Sequence, residues 1–306
     1  MKVVAPLIID ESKLTSSSIP EPDIARGEVE WVAYTAAFGD QRVVLSNHSK
    51  YQCIVDAGTT DDPVTGAAKN VPTWLRIGST NRYSMFDESN GTQSLATNTM
   101  TVRLNAGENI DSIALFNLTG SYQVQIIMND PVQGEVYNKT IETVDNSQVI
   151  SAWTYFFSPI VFIDKFVELD LPPYPNAYTE IIISGTGEIG LGSFVVGRAS
   201  ELYTTIYGTA VNLINRSLVE DDGYGNYNVV KRPSSTRLTY EVRFPTEFVN
   251  TILTRLQPLI DRSAVWIAEE EDQYRYALNY GFYKDSDIFP AGPNISELRI
   301  EVEGIA

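Results

Sequence analysis

Along most of the 306-residue chain, apolar and polar positions alternate with the period of β-strands. The clearest runs lie at 100–104, 112–117, 121–128, 161–169, 179–184 and 193–196. Turn formers separate them: Gly107, Gly120, Asp130-Pro131, Pro172-Pro173 and the glycines from Gly185 to Gly192. Short strands punctuated in this way predict a β-sandwich or jelly roll. Before it, residues 28–80 carry Trp31, Tyr34, Gly39-Asp40, Val43-Val44-Leu45 and Tyr51-Gln52-Cys53-Ile54-Val55. A polar loop over 56–72 then leads to Trp74-Leu75-Arg76-Ile77-Gly78, which predicts a small β unit. Residues 10–27, with Ser16-Ser17-Ser18, Pro20 and Pro22, read as an extended arm that needs a neighbour's surface to become ordered.

The period changes after 205. A turn is expected at Tyr224-Gly225-Asn226, between strands at 210–219 and 228–231, and 237–244 alternates cleanly. Phe248, Val249, Ile252, Leu253, Leu256, Leu259 and Ile260 recur at helical spacing, which predicts one helix over 246–260. Thr246 is its candidate cap, and Pro258 should kink it or end it early. Strands are expected at 264–268, 274–282 and 295–303. The fold class is therefore mainly β and multidomain. It divides into an N-terminal arm and linker (1–27), a small β module (28–80), a jelly-roll sandwich (81–199) and an α+β domain with one helix packed on a sheet (200–306).

Composition narrows the chemistry. Hydrophobic residues at 43% and charged residues at 20% describe a folding chain rather than a disordered one. The net charge of -17 disfavours nucleic acid and anionic membrane as general partners. No stretch has the length of a spanning helix, so membrane insertion is not expected; the apolar runs 149–157 and 159–163 are broken by Ser151, Thr154 and Ser158. The first residues carry no cleavage pattern, so a signal peptide is not expected. Six Asn-X-Ser/Thr matches then read as part of an Asn- and Thr-rich β surface.

Candidate catalysts are few. With one cysteine, Cys53, there is neither an intrachain disulfide nor a cysteine metal cage. His48 is the single histidine and reads as a solvated hairpin tip, with Cys53 as a small core residue on the opposite face. The acidic groups Asp61-Asp62, Glu220-Asp221-Asp222 and Glu269-Glu270-Glu271-Asp272 read as solvated turns. Calcium at such a loop, for instance 221–226, stays open, and so does metal binding generally. The glycines at 185–192 lack the Lys-Ser/Thr that closes a phosphate loop, and read as a β turn. No catalytic residue and no cofactor is assigned, and the chain is expected not to be an enzyme; a polysaccharide depolymerase is the remote alternative.

The aromatics, 11% of residues, are the most informative class. Trp31, Tyr34, Tyr51 and Trp74 are either the core of the small module or a platform for a sugar ring. The dense run Trp153-Thr154-Tyr155-Phe156-Phe157 is either a buried strand or a subunit contact through Trp153, Tyr155 and Phe156.

Several segments together resemble a family of tailed-bacteriophage tail and virion proteins. They are residues 1–22, residues 74–87 from Trp74-Leu75-Arg76-Ile77-Gly78 to Phe86-Asp87, and Gly197-Arg198-Ala199-Ser200-Glu201-Leu202 with Tyr207-Gly208-Thr209. Tyr280-Gly281-Phe282-Tyr283-Lys284-Asp285 and residues 298–305 complete the set. Within it, 28–78 resembles the small carbohydrate-binding module of chitinases, whose chitin-binding members carry two adjacent tryptophans where this chain has Trp74-Leu75. Residues 97–198 resemble a galactose-binding-like jelly roll, and the last domain resembles the sandwich-with-helix units of tail-tube and distal-tail proteins. The resemblance implies a structural virion protein in the tail, a tail or fibre-adaptor subunit. Its partners would be other tail subunits, copies of itself and a host-surface glycan. The alternative it implies is a glycan-binding receptor-recognition protein on the same tail.

Overall fold

Val3 and Val4 are neighbours in the strand Lys2–Pro6, so they point to opposite faces, and both are buried. Val3 enters the core of the C-terminal half, with Leu238, Tyr240, Trp266 and Ile300. Val4 enters a second core with Phe116, Val195, Val265 and Tyr280, which lies between the two halves. The strand pairs antiparallel with Tyr178–Glu201 on one side and Ala264–Ile267 on the other. In this computed structural model, which describes the chain apart from residues 90, 146–148, 207, 222–226, 233 and 306 and describes 272–273 as backbone only, the first strand is thus the seam of a 13-stranded sheet.

The sequence places this segment in an arm, and the structure differs. Residues 10–27 are also ordered on the chain's own surface: Leu14–Ser17 pairs with Ser94–Asn105, and Ile19 is buried beside Met85 and Met100. A segment rich in Ser and Pro carries little periodicity. Two short apolar stretches, at the first strand and at Ile19, are enough to dock it in cis.

Beyond the seam, one half is a β-sandwich built on two long strands, Ser112–Asp130 and Tyr178–Glu201. Each was expected as two strands divided by a turn, at Gly120 and at 185–192. Both are instead continuous and irregular at the same level, where pairing skips from Gly185↔Ser121 to Gly190↔Thr119. The inward face changes parity close by: Ile113 and Leu115, then Leu118, Val124, Ile126 and Met128, all in one core, so the change falls at Asn117, whose φ is +52°. An inserted residue has that effect, and bends the strand. Gly120, at φ +68°, and Gly185 sit back to back there; a Cβ on Gly185 would lie 2.2 Å from the Gly120 carbonyl oxygen. Glycine read as a turn former is here a shared bend.

The other half is a sheet carrying a helical segment at 246–259, an α-helix Val249–Leu256 between 3₁₀ turns Thr246–Phe248 and Gln257–Leu259. Ile252, Leu256 and Leu259 face the sheet. The α-helix stops two residues before Pro258, whose ring lacks the N–H that another turn requires. Thr246 opens the segment without capping it; its hydroxyl instead bonds Ser296 at 2.9 Å. One expected strand is shorter at its start. Residues Asp272–Ala277 form a 3₁₀ helix before the strand Leu278–Pro290, and Tyr240 donates its hydroxyl to the Ala277 carbonyl at 2.9 Å.

The small module is a three-stranded sheet, Gln41–Val44, Ser49–Cys53 and Trp74–Ser79. Its polar loop holds a short helix, Pro63–Ala67, with Asp62 accepting from the Val64 and Thr65 amides and proline at the first turn.

Candidate functional site

Of the four module aromatics, the structure resolves the choice for two. Trp74 is 1% exposed, and its indole N–H donates to the Asp61 carbonyl at 3.1 Å. Tyr51 is buried beside it with Cys53 and Ala36. A Cβ on Gly66 would stand 2.6 Å from the Trp74 ring, so the Pro63–Ala67 helix lies directly on the indole. Trp31 and Tyr34 are half-buried against the same cluster; Arg42 stacks over Tyr34 at 4.6 Å, and the tyrosine hydroxyl donates to Asp40 at 2.9 Å. Trp74 and Tyr51 therefore belong to the core and are not a sugar platform. At the next position Leu75, 53% exposed, faces solvent without a ring. Trp74→Ala is expected to destabilise the module by about 3–5 kcal/mol, whereas Leu75→Ala should change stability by less than about 0.5 kcal/mol. Urea unfolding of the two variants checks this.

His48 is not a solvated tip. Its ring stacks on Tyr83 at 3.7 Å, and Nδ1 lies 3.0 Å from the Glu21 carboxylate, which also accepts from the Thr80 hydroxyl at 2.6 Å. Around it lie two further buried carboxylates, Asp23 from the arm and Glu28 from the start of the module. Asn81 joins them: its side-chain amide donates to Asp23 at 2.8 Å and to the Leu95 carbonyl at 2.9 Å. Its side-chain oxygen accepts from the Leu95 amide at 2.8 Å, and its own backbone N–H donates to Glu28 at 2.7 Å. This is a polar joint between arm, module and sandwich, with its donors and acceptors matched. Sequence reasoning missed it because the carboxylates sit in a segment of linker composition.

The acidic groups are distributed among separate tasks. Asp61 pairs with Lys69, which lowers its pKa, and Asp62 caps a helix; Glu270 pairs with Lys2. Glu220 and Asp221 lie on an exposed strand, while 222–226 and the side chain of Asp272 lie outside the described residues. Among the described residues, no group of three His, Cys, Asp or Glu side chains could hold a metal ion. A groove of about 720 Å³ is lined by Arg216, Arg232 and Lys284. Glu303 occupies its floor: Lys284 bonds the carboxylate, with Arg216 and Arg237 beside it, and together they hold its pKa below the usual carboxylate value.

The aromatic run becomes a surface. Residues 149–162 form an excursion whose base is closed by Val144–Asp145 pairing with Val161–Phe162 and by the Ile163 amide donating to the Thr143 carbonyl at 2.7 Å. At its apex is a short helix, Ala152–Phe157, rather than a strand. Six residues are too few for a stable isolated helix, so local devices must hold it. The Ser151 hydroxyl accepts from the Thr154 amide at 3.2 Å, and the Thr154 hydroxyl accepts from the Ser151 amide at 3.0 Å, a capping box. Trp153 and Phe157, one turn apart, pack ring on ring at 4.1 Å. Trp153 is 70% and Phe156 74% exposed, and Tyr155, Phe157, Ile150 and Ile160 are similarly bare. Of the two readings the sequence left open, the buried strand is excluded. No charged side chain occurs from 146 to 163.

A second apolar surface was not anticipated. Val211 and Leu213, on the strand Ala210–Ile214, and Val219 and Tyr227, on the paired strands Leu218–Asp221 and Tyr227–Val230, are exposed. The adjacent apolar pairs Leu218-Val219 and Val229-Val230 were its signal, since alternation would leave one face polar. No protein-family model matches the chain, and neither a curated protein nor a solved structure is significantly similar to it.

Proposed function

We propose that the chain is a structural subunit of a tailed-phage virion, a tail or fibre-adaptor component that works by contact with neighbouring subunits. The observation that carries this reading is the 149–162 excursion: a locally ordered, charge-free display of aromatic rings on a chain of net charge -17. Contiguous exposed apolar surface of this kind marks an interaction site, and Trp and Tyr are enriched at the centres of such contacts. The resemblance of the sequence to tail and virion proteins supplies the setting. The glycan-receptor reading has lost its main residue, because Trp74 is core.

The test is incorporation. Tagged wild-type chain supplied during phage assembly is expected on purified particles, in repeated copies on the tail by electron microscopy. Trp153→Asp with Phe156→Asp should lower its incorporation at least tenfold while leaving the melting temperature within about 2 °C, since both side chains already face solvent. Wild-type chain found in infected lysate and never on particles would end the proposal.

A further inference from the structure

The two bare apolar surfaces stand at opposite ends of one sheet. The main path runs through nine strands, beginning at Phe166–Glu168 and ending at Thr204–Thr205. The excursion enters directly before the first of these, its base bonded to Ser112–Asp130 through the Thr143 and Leu118 amides, which donate to the Tyr122 and Asp164 carbonyls. At the far end, Ala210–Ile214 pairs with Ser235–Pro245 on one side only, and the hairpin Leu218–Asp221/Tyr227–Val230 follows it. The two surfaces thus lie at opposite ends of the strand order, and both are exposed in the single chain.

We infer that these surfaces are mates: the excursion of one copy docks on the edge that Ala210–Ile214, Leu218–Asp221 and Tyr227–Val230 form in the next, giving a head-to-tail contact between copies. Three observations select a second copy as the occupant. The first is area. Four rings of roughly 150–250 Å² each, about two-thirds exposed, together with Ile150 and Ile160, offer about 800 Å², the share one partner contributes to a standard stable interface.

The second is charge. Two chains that each carry -17 repel, and they approach most cheaply through a surface without charge, which 149–162 supplies. The third is accounting for both surfaces at once. An excursion mated to an excursion leaves the hairpin edge bare, and the converse contact leaves the rings bare; a head-to-tail contact covers both with one interface. A two-stranded hairpin with apolar side chains on both faces, Leu218/Val230 on one and Val219/Val229 on the other, is marginal alone and is completed by such cover. The edge strand Ala210–Ile214, with exposed Val211 and Leu213, is likewise the kind of edge that folded proteins keep covered. Because the contact joins two different patches, it propagates and ends in a ring or an open filament rather than a closed dimer.

This inference rests on the reading of the excursion as an assembly surface, and its test is a complementation by sedimentation velocity on the purified full chain. One variant, Trp153→Asp with Phe156→Asp, blocks the excursion; a second, Leu213→Asp with Val219→Asp, blocks the far edge. All four positions are exposed, and thermal melting confirms that both variants fold. Wild-type protein is expected to sediment as species larger than a dimer, each variant alone as a monomer, and their equimolar mixture as a 1:1 dimer that grows no further. An edge-blocked variant that still self-associates would show that the excursion mates with itself and overturn the inference. So would an excursion-blocked variant that self-associates, a mixture that stays monomeric, or wild-type protein that is monomeric at every concentration. If wild type is monomeric and yet particles exclude the excursion-blocked chain, this inference fails and the structural role stands. If the wild-type chain assembles but never reaches particles, the reverse holds.

Discussion

Replacing Val4 by aspartate is expected to uncouple the two halves of the molecule, so that one calorimetric transition becomes two and the lower lies well below the wild-type melting temperature. Val4 is opposite Ala199 on one neighbour and Val265 on the other, so its strand is what joins Tyr178–Glu201 to Ala264–Ile267 in the strand order. Its side chain is buried among Phe116, Val195, Ile267 and Leu278, with the Phe116 and Tyr280 rings stacked at 5.5 Å beside it. No side chain in that cluster carries a positive charge to pair with a carboxylate. The substitution loses about 2 kcal/mol of apolar burial and adds several kcal/mol for an unpaired polar group, whether it stays charged or takes up a proton to avoid charge. That sum is a large share of the about 5–15 kcal/mol that holds a domain folded. Val4→Ala is the graded control, expected to cost about 2 kcal/mol without splitting the transition. A Val4→Asp protein that melts in one step at the wild-type temperature would remove the seam from its place in the architecture.

The seam also shows where the sequence was legible. Mainly β organisation, the helix packed on the C-terminal sheet and its early stop before Pro258 follow from local period and proline chemistry, and the fold has all three. What the period cannot carry is pairing. Lys2–Pro6 reads as one short apolar strand, and nothing in its own residues says that both faces will be buried by segments about 200 and 260 residues away. The glycines at 120 and 185–192 signalled a change of direction correctly, but whether a chain turns back or bends on depends on a neighbour bending at the same level. At the candidate site, composition identified Trp153, Tyr155 and Phe156 but could not decide between core and surface, because a charge-free aromatic run serves either. For Trp74 the outcome depended on Gly66, whose missing side chain lets a helix close over the indole. His48 joined a carboxylate 27 residues earlier in the chain, a distance over which no spacing rule operates.

Asn81→Leu is expected to loosen the joint between module and sandwich by at least about 1–3 kcal/mol, the cost of leaving a buried hydrogen-bond partner unsatisfied, which is larger for a charged one. Leucine keeps the heavy-atom branching of asparagine but is bulkier, so some overpacking adds to the lost hydrogen bonds. The Asp23 carboxylate loses its donor at 2.8 Å and keeps Arg26 at 3.6 Å, and the Leu95 N–H and C=O lose both of their partners. Hydrogen exchange at the Leu95 amide should accelerate by more than the global destabilisation accounts for, because the opening is local. Asn81→Asp separates hydrogen bonding from charge. The introduced carboxylate can still accept from the Leu95 amide, but it stands beside Asp23, with Glu28 nearby, and like charges raise its pKa in the folded state above the ordinary value of about 3.9. For an acid shifted in that direction, the folded state binds more protons than the unfolded one, so the penalty is full above the folded pKa and fades as the pH falls through it. Protonated, the side chain again donates to Asp23. The stability gap between Asn81→Asp and wild type, measured by urea unfolding at matched pH, should therefore narrow on acidification, and by more than the gap for Asn81→Leu, which lacks the added carboxylate. Equal behaviour of the two variants across pH would mean that Asn81 acts by shape alone and that the carboxylates around it are held by other groups.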